Sequence, residues 1–194
     1  MQKRFIDEQE LLEDSYRLAV QIYRSGFRPD FIVGVWRGGS TVGIYVQECL
    51  QYLGVETDHI AIRTSYQGRD DYFRQLEQGG EVRVHGLQYL FENLNAENAL
   101  LIVDDVYSTG RNVHAVIDRL RQKCKRNMPT EVRIAAPYYR VTERRQNPPP
   151  DYFLQQVPDW MALPYELCDI DRSELEQHKP WIIPLLDKLK PGWQ

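Results

Sequence analysis

Three cysteines in 194 residues, Cys49, Cys124 and Cys168, are scattered and odd in number, which excludes a closed disulfide framework. Their spacing matches no zinc-ligand pattern, and the four histidines are equally dispersed, so no structural zinc site is expected. Thiol usage of this kind reads as that of a reduced, cytoplasmic protein. No apolar run approaches the length of a membrane span, and Met1-Gln2-Lys3-Arg4 leads into a charged helix in place of a signal-peptide core. No membrane partner is therefore expected. Excess positive charge is missing too: 24 Lys and Arg stand against 28 Asp and Glu, a formal net charge of −4. That balance gives no electrostatic reason to expect a nucleic-acid partner. The one basic concentration, residues 119–126, reads as a solvated helix end.

What the chain does have is enough length for one full core, with ordinary apolar and charged fractions. Its most informative stretch is ALLIVDDVYSTGRNV, residues 99–113. The apolar run Leu100 to Val103 suits a central parallel strand, buried on both faces. It ends in two adjacent carboxylates, Asp104 and Asp105, where open α/β sheets usually place ligands. The following Ser108-Thr109-Gly110 turn can aim backbone N–H groups and a helix N-terminus at a phosphate. Two carboxylates can accept hydrogen bonds from vicinal hydroxyls or hold a hard cation. Together these features describe a pocket for a phosphorylated sugar. For a bare Asp-Asp pair the simpler account is a strand capped by acidic residues and an ordinary turn.

Strands and helices alternate along the rest of the chain. Asp7 with Glu10 reads as a capping box, opening a helix that carries Leu11, Leu12, Tyr16, Ala19 and Tyr23 and stops at Gly26. A strand over 31–35 leads to the turn Trp36-Arg37-Gly38-Gly39 and a second helix bearing Val42, Val46 and Leu50. Strands follow at 55–62, 82–84, 100–103, 131–136 and 160–163, with a polar, aperiodic and mobile loop over 64–80. The helix after the acidic pair turns Val113, Val116, Ile117 and Leu120 inward. Three consecutive prolines make 146–151 an extended connection. The pattern weakens from Asp171, giving a domain over 1–170 and an appendage over 171–194 of undetermined structure. This alternation predicts an α/β fold. In the 36–39 turn, two glycines allow close backbone approach to an anion and Arg37 supplies a fixed cation. A plain strand-to-helix turn accounts for it equally well.

The ordered string from Leu100 to Gly110 resembles the phosphoribosyl pyrophosphate (PRPP) signature of type I phosphoribosyltransferases, and the likeness runs from Asp30 to about Glu166. It falls nearest the purine-salvage branch, which acts on hypoxanthine, guanine or xanthine. The resemblance implies a mostly parallel twisted sheet flanked by helices, with a small hood made by the terminal segments. It implies PRPP on Arg37, Gly38, Gly39, Asp104, Asp105, Ser108, Thr109, Gly110, Arg111 and Asn112, and a cis peptide between Trp36 and Arg37. Ser65 and Tyr66 look like the start of the family's flexible catalytic loop. VRIAAPYYR, residues 132–140, places Arg140 as donor to a purine 6-oxo group. VPDWMALPYE, residues 157–166, offers Trp160 as stacking platform with Met161 beside it. A core tryptophan is the competing account of Trp160.

The implied cofactor is Mg²⁺, near Asp104, Asp105 and Glu166, with Asp169 the alternative to Glu166. The implied assembly is a homodimer or higher homo-oligomer. The implied reaction gives a nucleoside monophosphate and pyrophosphate from PRPP and a 6-oxopurine. One position departs: Ser108 stands where the purine branch usually has an aspartate to handle the purine proton, and serine alone is no general base at neutral pH. Asn112, where a threonine is usual, still has an amide that can donate to phosphate. The alternatives are a non-catalytic PRPP-binding regulator and a phosphoribosyltransferase for a different base. Which base is used is not legible in the residues.

Overall fold

The computed structural model describes residues 3–64, 82–141 and 147–189. In chain order the elements are β1 (Lys3–Phe5), α1 (Glu8–Arg24), β2 (Phe31–Trp36), α2 (Gly38–Tyr52), β3 (Asp58–Thr64), β4 (Val84–His85), α3 (Gln88–Asn93), β5 (Ala99–Val103), β6 (Val106–Tyr107), α4 (Arg111–Cys124), β7 (Glu131–Ala135), β8 (Tyr138–Arg140), β9 (Gln155–Val157), β10 (Trp160–Ala162), α5 (Arg172–His178) and α6 (Ile183–Leu189). Five strands form the main sheet in the order β4-β3-β2-β5-β7. All of its pairings are parallel except the short antiparallel edge β4.

The apolar run of β5 shows why both faces had to be hydrophobic. Leu101 and Val103 pack on one side with Leu18 and Ile22 of α1 and Val42, Val46 and Leu50 of α2. Leu100 and Ile102 pack on the other with Leu90 of α3 and Val113, Val116, Ile117 and Leu120 of α4. Alternate residues of one strand thus serve two cores. Chain order turns around between β2 and β5: β3 lies on one side of β2, and β5 on the other. Such a reversal opens a crevice beyond the strands' carboxyl ends. The register sets Gly34 against Val103, so Trp36-Arg37 and Asp104-Asp105 emerge side by side.

Several elements differ from the sequence reading. Lys3–Phe5 is a strand, not the lead of a helix, pairing in parallel with β10 in register Lys3 to Trp160. Three residues are too short to show a period, and their partner lies over 150 positions away. The capping box at Asp7 is half-formed: Asp7 accepts from the Glu10 amide at 2.7 Å, but Glu10 is drawn to Arg4 at 2.8 Å. The complete box occurs where the pattern looked weakest, with Asp171 and Glu174 bonding reciprocally at the start of α5. β3 runs Asp58–Thr64, later than expected, because 55–57 finish the turn after α2. A three-stranded parallel sheet, β6-β8-β9, was not foreseen, its strands being two or three residues long. Among the described residues no helix is long and apolar enough to cross a membrane.

Candidate active site

A cavity of about 570 Å³ opens beyond the carboxyl ends of β2 and β5. Its walls bring together Trp36, Arg37, Gly38, Asp104, Asp105, Ser108, Arg140, Trp160, Met161 and Glu166 from separate segments. The Trp36–Arg37 peptide is cis. Gly39, in the first turn of α2, and Thr109, Gly110 and Asn112, around the start of α4, are not among the cavity's lining residues. Arg111 faces elsewhere, into a second groove between β4 and α4 that it shares with Arg83, His85, His114 and Arg119. Ser65 and Tyr66 lie outside the described residues, as does the rest of 65–81.

The β2–α2 and β5–β6 turns approach so closely that side chains are excluded at two positions. A Cβ on Gly39 would overlap the Val103 carbonyl oxygen and sit 2.9 Å from the Asp104 Cα. One on Gly38 would overlap both the Asp105 carboxylate and the Tyr165 hydroxyl. Glycine is thus required by space at position 39, where the neighbouring atoms are main chain, whereas at 38 they are ends of side chains. At Gly110 it is also required by conformation, with φ of +76° at the N-cap of α4. Asn147 donates to the Thr109 carbonyl at 3.1 Å and Tyr107 to the Pro148 carbonyl at 2.8 Å, so the proline-rich connection braces this turn.

The two carboxylates occupy unlike environments. Asp104 is buried, its Oδ1 accepting from the Asp105 amide at 3.1 Å. Burial, and then the charge of Asp105, push Asp104 well above the usual carboxylate range. Asp105 is less buried: its Oδ1 accepts from the Val106 amide at 2.8 Å and its Oδ2 from the Tyr165 hydroxyl. Burial and the same Asp105 carboxylate raise Tyr165 well above an ordinary phenol. Glu166 is pushed up to about 7, first by burial and then by Asp105, against the opposing charges of Arg37 and Lys179.

At the far end, Arg140 is buried and donates from Nε and one terminal nitrogen to Ser108 Oγ at 3.3 and 3.0 Å. Its guanidinium lies 4.7 Å from the centre of the Trp160 ring. Trp160 therefore lines the cavity and is no core tryptophan. Sequence reasoning passed over Tyr165, which joins the loop after β10 to Asp105, and Lys179, which holds that loop. The spacing Asp171-x-x-Glu174, a helix-start signature, was the available signal that an ordered element lies beyond residue 170.

The phosphoribosyl transferase domain family model matches residues 1–168 of the chain. No curated protein matches significantly in sequence. Among solved structures, the fold is similar to a purine phosphoribosyltransferase from Pyrococcus horikoshii OT3, with 20% identity, TM-score 0.64, 89% of this chain and 99% of that one. It is similar to a hypothetical protein from Neisseria gonorrhoeae with bound ppGpp, with 18% identity, TM-score 0.69, 92% of this chain and 94% of that one. It is also similar to the Helicobacter pylori xanthine-guanine-hypoxanthine phosphoribosyltransferase, with 18% identity, TM-score 0.63, 91% of this chain and 100% of that one.

Proposed function

The chain belongs to the phosphoribosyl transferase domain family, and from that membership we propose that it transfers the 5-phosphoribosyl group of PRPP to a 6-oxopurine. The products are a nucleoside monophosphate and pyrophosphate. One observation carries the reading: the pair Asp104-Asp105, the Arg37-Gly38 turn and the Arg140–Trp160 pair all face one cavity. Ribose hydroxyls donate to the carboxylate pair, the 5′-phosphate meets the amides of the 108–112 turn, and the pyrophosphate lies against Arg37, Gly38 and Gly39. Trp160, with Met161 beside it, offers the base an aromatic face, and Arg140 a donor for its exocyclic oxygen.

Catalysis then rests on alignment and charge. Asp105 fixes the ribose, so that a purine nitrogen attacks C1′ in line with the departing pyrophosphate. Arg37 and the glycine amides stabilise the leaving group. The donor set fits Mg²⁺, which keeps several waters and needs few protein ligands. Asp105 already raises the Glu166 pKa by its charge, a mutual repulsion that a divalent cation relieves. Among the described residues no group of three or more His, Cys, Asp or Glu is arranged as a metal cage. Asp105 and Glu166 would hold the ion, which when bound offsets the charge of the pyrophosphate.

A second reading, a PRPP-binding regulator without transfer chemistry, is favoured by one contact. Arg140 is paired with Ser108, where a proton-handling carboxylate would be wanted, and itself covers Trp160. Pyrophosphate release decides between them. The protein is incubated with Mg²⁺, PRPP and hypoxanthine, guanine, xanthine, adenine, uracil or orotate in turn. Release with a 6-oxopurine is expected. Tight PRPP binding with no release for any base establishes the regulator instead.

A further inference from the structure

The family match ends at residue 168, yet a buried cation beyond it holds a wall of the cavity. We infer that Lys179 is a positioning residue for the ribose end of the site, acting through the 163–166 loop and Tyr165 on Asp105. Lys179 is 6% exposed. Its ammonium donates to the main-chain carbonyls of Leu163 at 3.1 Å, of Pro164 at 2.8 Å, and of Glu166. Three donors thus meet three acceptors. Carbonyl groups that converge in this way repel one another without such a donor. The planar fork of arginine cannot place three N–H groups on one point.

The loop so gathered is closed on itself, with Glu166 N donating to Leu163 O at 3.0 Å and Leu163 N to Glu166 Oε2 at 3.2 Å. It carries Tyr165, whose hydroxyl donates to Asp105 Oδ2. The main chain of Gly38 abuts both groups. Val106 N and Tyr165 thereby fix the two oxygens of Asp105 and orient its carboxylate, leaving lone pairs for a substrate hydroxyl. Lys179 is held in turn by its own amide donating to Leu175 O at 2.7 Å, at the end of a helix with a complete capping box. Lys3 of β1 anchors that helix from the other side, donating at 2.6 Å to both Glu174 and the Asp169 carbonyl. Phe5 and His178 stack at 3.8 Å across the same junction.

The consequence for PRPP rests on the function proposed above; the clamp itself does not. Hydrogen exchange of the ligand-free protein is therefore measured first, for wild type, Lys179→Met, Lys179→Arg and Tyr165→Phe. Lys179→Met should speed exchange of the Leu163, Tyr165 and Glu166 amides at least tenfold. Lys179→Arg, which keeps the charge and covers the case in which Lys179→Met does not fold, should speed it less. Unchanged exchange in the folded lysine variants overturns the clamp, whatever the ligand. Pyrophosphate release is then measured in a double-mutant cycle. Lys179→Met and Tyr165→Phe should each lower kcat/KM for PRPP about tenfold, and together lower it no further. Losses that multiply overturn action through Tyr165. A wild-type protein that takes no PRPP refutes the proposed function, while the exchange data still judge the clamp.

Discussion

At the end of the cavity built by the β2–α2 and β5–β6 turns the main chain sets the shape, whereas at the opposite end and in the loop after β10 side chains hold one another. Gly38, Gly39 and the amides after Asp104 are placed by parallel register between β2 and β5, with no room for a Cβ. Arg140, Ser108 and Trp160 are placed by a hydrogen bond and a ring contact between segments far apart in the chain. A site built from backbone is rigid because moving it means moving the sheet, whose strands are buried on both faces. A site built from side chains can rearrange by rotamer changes, and its partners can be exchanged for ligand groups. Under the proposed function, the first arrangement suits a common donor and the second a variable acceptor.

The largest effect should come from the backbone-built end. Asp105→Asn keeps the shape but removes a charge, and turnover should fall about 10²–10³-fold with an unchanged melting temperature. Near-normal kcat in that variant would remove Asp105 from the site. Gly39→Ala forces a methyl group into the Val103 carbonyl and should destabilise the fold by about 1–3 kcal/mol, read from denaturant midpoints. A neutral result there would mean that the two turns can part, breaking the contrast with the other end.

Trp160→Ala tests the side-chain end. It should raise the KM of the base about tenfold, in line with ~1–3 kcal/mol per stacked base, and leave that of PRPP alone. An equal rise in both constants would show that the ends are coupled. The smallest effect is in pH dependence. Glu166 has a folded pKa of about 7 against 4.5 when unperturbed, so the folded protein holds this proton more tightly than the unfolded chain. That contribution to stability is complete below about pH 4.5, declines as pH rises, and is lost above about 7. Glu166→Gln cannot ionise, so its melting temperature relative to wild type should climb between those values and level off above. Parallel melting curves across the range would place Glu166 in a solvated setting.

The legible parts of this molecule are those where a periodic signal meets a local one. The β5 run, its acidic pair and the Thr109-Gly110 turn are contiguous, so that strand, ligand end and helix start could be read together. The strand β1 was illegible because three residues carry no period and gain their meaning from β10. Tyr165 and Lys179 were illegible for a related reason. Nothing in Pro164-Tyr165-Glu166 indicates that a hydroxyl will meet Asp105, 60 positions upstream. A lysine before a proline gives no sign that three carbonyls of another segment will surround it.

Sequence by itself determined the alternating α/β layers and the paired carboxylates and turn at the carboxyl end of a central strand, because burial on two faces and a turn beside paired carboxylates are properties of consecutive residues. Tertiary structure alone decided that Arg140 rests on Ser108 and Trp160, that Tyr165 orients Asp105, and that Lys179 gathers the loop between them. Those contacts are made by side chains from segments that the fold brings together, and no local interaction energy selects them before the sheet has formed.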